Sequence, residues 1–198
     1  MTNRTPRLTS PANLLGILRI ALTPVVIALV LLPFPGAGLV AFVVFVIAAA
    51  TDFLDGRLAR ARGEVSPLGV FMDLTADKVL VAGVLIAMVE ADLLPTWMVA
   101  TILIRELVIA GVRQMAASAQ VVIAARALGK AKTLSTLAAM AILLLAFDAQ
   151  TAGPMQSLGI GPALSATGFW LMIVATALTV VSGWDYLRGA LPILMGRP

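Results

Sequence analysis

The sequence contains no cysteine and no histidine among its 198 residues. Disulfides, thiol nucleophiles, zinc centres built on Cys or His, and imidazole bases are excluded, so any catalysis runs on carboxylates and hydroxyls. Charge is scarce too. Asp, Glu, Lys and Arg make up 12% of the chain against 61% hydrophobic residues, where soluble domains have roughly 25% and 45–50%. With a mean hydropathy of +1.04, lipid is the solvent for most of the molecule. About six spans of roughly 20 apolar residues would consume most of this length. Residues 1–198 therefore read as a single all-α membrane domain with no room for a soluble one. The net charge of +4 would suit nucleic acid, but the basic residues sit at the ends of apolar runs. There they meet anionic lipid headgroups, so membrane lipids and not nucleic acid are the expected partners.

Apolar runs cut by Pro, Gly or charge predict spans near 13–32, 37–62, 68–89, 95–115, 130–147 and 165–187. The cuts fall at Pro33-Phe34-Pro35-Gly36, at Leu94-Pro95 and in the Gly/Pro/Ser-containing stretch Thr151–Pro162. Arg4 and Arg7 before the first run resemble the start of a signal peptide. That run, however, is of spanning length, longer than the usual signal core, and reads as an uncleaved first helix. Lys and Arg in short loops stay cytoplasmic. The first, third and fifth connections have neither, whereas the second has Arg57, Arg60 and Arg62, the fourth has Arg113, Arg126, Lys130 and Lys132, and the termini have Arg4, Arg7, Arg188 and Arg197. Both termini are thus expected in the cytoplasm. Glu90, Asp92 and Asp148, the acids of the opposite loops, read as solvated loop residues.

The second span breaks the apolar pattern. Leu39–Ala50 runs directly into Thr51-Asp52-Phe53-Leu54-Asp55-Gly56-Arg57-Leu58-Ala59-Arg60. At about 100° per residue, Asp52, Asp55, Gly56 and Ala59 share one helix face. The third span repeats the device with Gly69, Asp73 and Asp77 at offsets of 4 and 8. A helix starting near Ala37 carries Asp52 about 22 Å along its axis, short of the roughly 30 Å hydrocarbon thickness, so the acids should sit just inside the cytoplasmic membrane face. Carboxylates grouped there require counter-charge. Ion pairing with Arg57, Arg60, Arg62 or Lys78 would provide it but would not explain why Gly56, Ala59 and Gly69 clear space beside the acids. Oxygen-only donors select Mg²⁺ or Mn²⁺, and four aspartates could hold two such ions as a clamp for phosphoryl displacement.

Asp52-x-x-Asp55-Gly56-x-x-Ala59-Arg60, eight further residues, then Gly69-x-x-x-Asp73-x-x-x-Asp77 resembles the signature of the CDP-alcohol phosphatidyltransferase family, without departure at any fixed position. Weaker matches extend from helix one to helix five: Pro11-x-Asn13 with Arg19 and Pro24, Arg105-Glu106, and Gly129-Lys130-x-Lys132-Thr133 resemble the phosphatidylglycerophosphate-forming branch of that family. The resemblance implies a six-helix membrane fold, often homodimeric, that binds CDP-diacylglycerol and releases CMP. By similarity, Asp52, Asp55, Asp73 and Asp77 would surround the metals and Asp77 would be the general base. Gly56, Ala59 and Gly69 would make room for the CDP-lipid, and Arg60 and Ser66 would contact its CDP moiety. A bacterial inner-membrane location with the site facing the cytoplasm is the matching expectation.

The acceptor side is read from charge. Arg105 and Glu106 fall roughly 15 Å into a helix starting near Pro95, and intramembrane ionisable residues are functional hypotheses by default. Adjacent residues point about 100° apart, so the two are not expected to pair face to face; Glu106, Ala110 and Arg113 share a stripe instead. An acceptor role and a structural network stand as alternatives for Arg105 and Glu106. Arg105, Arg113, Arg126, Lys130 and Lys132, with Thr133, concentrate positive charge beyond what a diphosphate and its metals need, which suits an acceptor with its own phosphate. Together with the branch resemblance this points to sn-glycerol 3-phosphate over inositol phosphate, serine or phosphatidylglycerol. Arg19 has two readings, snorkelling to the interface or lining the cavity. The methionines and Trp97, Trp170 and Trp184 read as packing and interfacial anchors. Two rivals fit less well. A membrane prenyltransferase would space its Asp clusters differently, and a divalent-cation transporter needs polar residues along the whole path, whereas these acids cluster at one face.

Overall fold

In a computed structural model, residues 11–62, 67–118 and 127–194 are described; for residues 11–13, 52–62, 67–70, 72–74, 127 and 192–194 only the backbone is described. Every element in them is a helix: α1 (Pro11–Leu31), α2 (Ala37–Arg62), α3 (Pro67–Glu90), α4 (Thr96–Ser118), α5 (Ala127–Gln150), α6 (Pro154–Ser157) and α7 (Gly161–Leu194). Proline opens α1, α3 and α6, where its missing N–H costs nothing and its fixed φ is already helical. The first turn needs a left-handed residue, and Gly36 supplies it at φ +90°.

α1, α5 and α7 each contain a run long and apolar enough to cross a membrane, Leu14–Leu31, Leu128–Gln150 and Gly161–Leu191. The apolar part of α2 is shorter, Ala37–Thr51, because the acidic stretch follows at once. α3 and α4 likewise carry Asp73, Asp77 and Lys78, and Arg105, Glu106 and Arg113, inside their helices. The chain is thus a helical membrane protein in which α2, α3 and α4 carry ionisable residues within their apolar helices.

α1 packs on both α2 and α3, α5 packs on α7 and α2, and α4 leans on α7. The core is a continuous apolar cluster including Val26, Phe45, Leu80, Met88, Met98, Met140, Leu144 and Met172, all essentially inaccessible. Outward-facing positions are also apolar, with Ile86, Leu107, Leu134, Trp170 and Val180 more than half exposed, as a lipid-facing surface requires. Buried threonine hydroxyls are satisfied within their own helices. Thr23, Thr136, Thr176 and Thr179 donate to the carbonyls of Arg19, Lys132, Met172 and Ala175 at 2.7–2.9 Å. This spares each hydroxyl the cost of an unpaired donor in lipid.

Asp148 corrects the expectation of a solvated loop residue. It lies on α5 and is fully buried. Its Oδ1 accepts from the Leu39 N–H and its Oδ2 from the Met155 N–H, both at 2.9 Å. One carboxylate therefore caps the N-termini of α2 and α6, where free N–H groups and the helix dipole favour negative charge. The close approach has a sequence cause: a Cβ on Gly38 or Gly153 would collide with Asp148. Ala152, at φ +56°, bends the chain back so that Gly153 N donates to the Asp148 carbonyl at 2.8 Å. The stretch read as a plain connection thus contains α6 and the beginning of α7.

Candidate functional site

A cavity of about 210 Å³ lies between α3, α4 and α5. Because α4 runs antiparallel to its two neighbours, its wall is layered. The layer nearer the α3 and α5 N-termini holds Asp77 and Lys78 of α3, Glu106 and Leu107 of α4, and Lys132 and Thr133 of α5; the deeper layer holds Val81, Ala82, Ile102, Leu103, Thr136 and Leu137. Offsets of four residues separate the layers on each helix, about one turn or 5–6 Å.

An ion network anchors the polar layer. Glu106 Oε1 accepts from Lys132 Nζ at 2.5 Å and from Arg105 Nη1 at 2.8 Å. Arg105 also reaches α7, where its Nη2 donates to Ser182 Oγ at 3.2 Å, and Gly183 leaves room for the arginine stem, since a Cβ there would come within 3.0 Å of Arg105 Cγ. Arg105 and Glu106 do pair, contrary to the expectation from their 100° separation. The guanidinium stem is long enough to wrap around the helix, and the carboxylate is drawn between two cations. Two cations against one acid leave the cluster with net positive charge.

On the other side of the bundle Arg19 is fully buried. Its Nε donates to the Ala48 carbonyl at 3.3 Å and to Thr51 Oγ1 at 3.4 Å. Of its two readings, snorkelling therefore fails: the cation turns inward onto α2, one residue before Asp52.

Of the remaining sequence-derived residues, Asp77, Lys132 and Thr133 meet in the cavity wall. Arg105 stands behind Glu106, facing α7. Arg113 shares the helix stripe of Glu106 but is not in the cavity wall; its guanidinium lies 5.9 Å from the centre of the Tyr186 ring. Lys130 is exposed and outside the cavity wall. Asp52, Asp55, Gly56, Ala59 and Arg60 on α2, and Gly69 and Asp73 on α3, have helical backbones, but their side chains lie outside the described residues, as do Ser66 and Arg126 entirely. Among the described residues no group of three acids that could hold a metal occurs. Sequence reasoning did not single out Thr136, although its position one turn after Lys132 puts it on the same face.

Comparison with known proteins agrees with this picture. A family model described as CDP-alcohol phosphatidyltransferase matches residues 9–181. The chain is similar to the CDP-diacylglycerol–glycerol-3-phosphate 3-phosphatidyltransferase of Bacillus subtilis, 37% identical with 88% of this chain and 91% of the relative covered. It is similar to the protein of the same name from Cereibacter sphaeroides, 34% identical with 92% and 96% covered. A cardiolipin synthase (CMP-forming) from Oryza sativa subsp. japonica is 32% identical over 96% of this chain and 60% of the relative.

Proposed function

The chain belongs to the CDP-alcohol phosphatidyltransferase family, and from that premise we propose that it transfers the phosphatidyl group of CDP-diacylglycerol to sn-glycerol 3-phosphate, forming phosphatidylglycerophosphate and CMP. The observation that carries the acceptor is that relatives named for glycerol 3-phosphate align over about nine-tenths of the chain. The cavity adds support, since its polar layer brings the motif residue Asp77 together with Lys132 and Thr133.

In this reading a hydroxyl of glycerol 3-phosphate attacks the phosphorus that bears the diacylglycerol. The bond from that phosphorus to the bridging oxygen breaks, CMP leaves with the electron pair, and the Asp77 carboxylate takes the hydroxyl proton. Lys132 holds the acceptor phosphate, and the Thr133 hydroxyl joins it on leaving the Gly129 carbonyl, to which it donates at 3.1 Å; Glu106 is the counter-ion that keeps Lys132 in place before the acceptor arrives. Asp52, Asp55, Asp73 and Asp77 offer only carboxylate oxygens, a donor set that fits two Mg²⁺ or Mn²⁺ ions. Such ions, when bound, neutralise charge developing on the diphosphate. Arg60, Ser66 and the small residues Gly56, Ala59 and Gly69 serve the CDP-lipid.

All six long helices cross the membrane in this reading, with both termini and the reactive layer at the cytoplasmic face of a bacterial inner membrane, and the protein works as a homodimer. The Arg and Lys residues at the second and fourth connections and the termini, against none at the first, third and fifth, support the orientation. The test is CMP release from CDP-diacylglycerol by purified protein in detergent. Release that needs glycerol 3-phosphate, stops with excess chelator and returns with Mg²⁺ supports the reading; glycerol-phosphate-dependent release undiminished in chelator removes the metals from it.

A further inference from the structure

We propose that Ser182 and Gly183 of α7 are positioning residues for the acceptor step: they hold Arg105 behind Glu106 as a second, permanent partner, so that Lys132 can turn from Glu106 to the acceptor phosphate without stranding that carboxylate. The inference rests on the phosphatidyl-transfer reading, in which Lys132 grips that phosphate, and it names what makes the exchange possible.

The exchange poses a problem of charge. Glu106 receives both cations on one oxygen, Lys132 Nζ at 2.5 Å and Arg105 Nη1 at 2.8 Å. Lys132 is buried and Glu106 only 28% exposed, so water replaces a departing lysine poorly. An ionised carboxylate without a partner inside a membrane bundle is strongly unfavourable. Were Lys132 the sole partner, the acceptor would have to draw it away against that penalty. With Arg105 in place, the move leaves a neutral Arg105–Glu106 pair behind and carries the lysine charge to the phosphate.

α7 keeps Arg105 available for this part. The guanidinium stands outside the cavity wall, and its Nη2 donates to Ser182 Oγ at 3.2 Å. The Ser182 hydroxyl, itself buried, donates onward to the Thr179 carbonyl at 3.3 Å. Its proton thus points along α7, which leaves an oxygen lone pair for the arginine. Gly183 completes the hold: a Cβ there would stand 3.0 Å from Arg105 Cγ and 3.5 Å from Nε, so the stem lies directly on the α7 backbone.

Arg105 Nε is buried and has no hydrogen-bond partner among the described residues. An arginine placed by hydrogen bonding alone would use that donor. This one forgoes it and keeps its contact with α7, while the two terminal nitrogens span Ser182 and Glu106.

Steady-state kinetics of the full-length protein in detergent, with CDP-diacylglycerol and Mg²⁺, test the anchor through a double-mutant cycle. Ser182→Ala should raise the Michaelis constant for glycerol 3-phosphate about fivefold, the equivalent of one hydrogen bond. Turnover and the Michaelis constant for CDP-diacylglycerol should stay within about twofold of the parent. Gly183→Ala should act in the same direction, because its Cβ displaces the arginine stem. In a Glu106→Gln background no carboxylate needs a partner, and Ser182→Ala should change the glycerol 3-phosphate constant by less than about twofold. An undiminished effect in that background would mean that Arg105 grips the phosphate itself or that α7 acts only through packing, and either overturns the proposal. Parental constants in Ser182→Ala overturn it too. Should Ser182→Ala fail to fold, as judged by its melting in detergent, Gly183→Ala and Arg105→Met take its place in the same cycle and are judged in the same way. An inactive parent protein would fell the transfer reading and this proposal with it, whereas an active parent with additive effects fells the anchor alone.

Discussion

Asp148 and Glu106, two carboxylates inside the same bundle, are stabilised in opposite ways. Asp148 is fully buried, each of its oxygens accepts a backbone N–H, and glycines 38 and 153 close over it. Glu106 keeps 28% of its side chain exposed, is held by the mobile ends of Lys132 and Arg105 through one oxygen, and borders an open cavity. Backbone donors are fixed by their helices and cannot be exchanged for a ligand, so the Asp148 end is a clasp between α2, α5 and α6. Side-chain cations can change partner when an anion arrives. A carboxylate in a membrane bundle is thus not itself the mark of a reactive site; what distinguishes the two is whether its partners can be released into open space.

The sharpest way to break this comparison is to neutralise one acid at each end. Asp77→Asn should lower turnover about 10²- to 10⁴-fold, the usual contribution of a general base, with thermal unfolding in detergent little changed and CDP-diacylglycerol binding reduced much less than turnover. Near-normal turnover would remove Asp77 from the role, and an equal collapse of binding would make it chiefly a ligand.

Asp148→Ala should do the reverse. Two buried N–H groups lose their acceptor, which costs about 3 kcal/mol of stability, or roughly 10²-fold in the folding equilibrium. Turnover per folded molecule should stay within about twofold, because Asp148 lies sixteen residues, or about 24 Å, along α5 from Lys132. Denaturation midpoints and active-site titration of the soluble fraction measure both quantities. A stable but inactive Asp148→Ala protein would erase the contrast.

The smallest effect sharpens the cavity end itself. Lys132→Met should raise the Michaelis constant for glycerol 3-phosphate about tenfold while leaving that for CDP-diacylglycerol nearly unchanged, as expected for loss of one charge-assisted contact to the acceptor phosphate. Lys130→Met, at an exposed position off the cavity wall, should leave both constants close to the parent values. Equal effects from the two lysines would mean a diffuse field and not a built contact.

The helices were legible because their breaks are chemical: Pro33-Phe34-Pro35-Gly36 and Pro95 stop a helix whatever surrounds them. The motif spacing was equally legible, since helical periodicity alone places Asp52 with Asp55 and Asp73 with Asp77. Tertiary partnership was not. Asp148 follows a long apolar run and precedes Thr151 and Gly153, and nothing in that local pattern reveals that the N-terminus of α2 will come down on it. Arg105 and Glu106 misled for a related reason, because a helical wheel fixes where a Cβ points but not where a flexible guanidinium ends. The deeper cavity layer was hidden for a third reason: Val81, Ala82 and Leu137 look like any other apolar helix residues until three helices leave a gap between them.

The claim that organises all of this is that the ionic layer around Asp77 joins a lipid phosphate to a phosphorylated glycerol. It is tested most directly by giving the purified protein CDP-diacylglycerol, Mg²⁺ and equal concentrations of glycerol 3-phosphate, inositol phosphate, serine and phosphatidylglycerol, then weighing the lipid products by mass spectrometry. The account predicts phosphatidylglycerophosphate as the dominant product, with one CMP released for each molecule formed. A dominant inositol-, serine- or cardiolipin-type product would contradict the acceptor assignment, and lipid transfer without CMP would contradict the reaction itself.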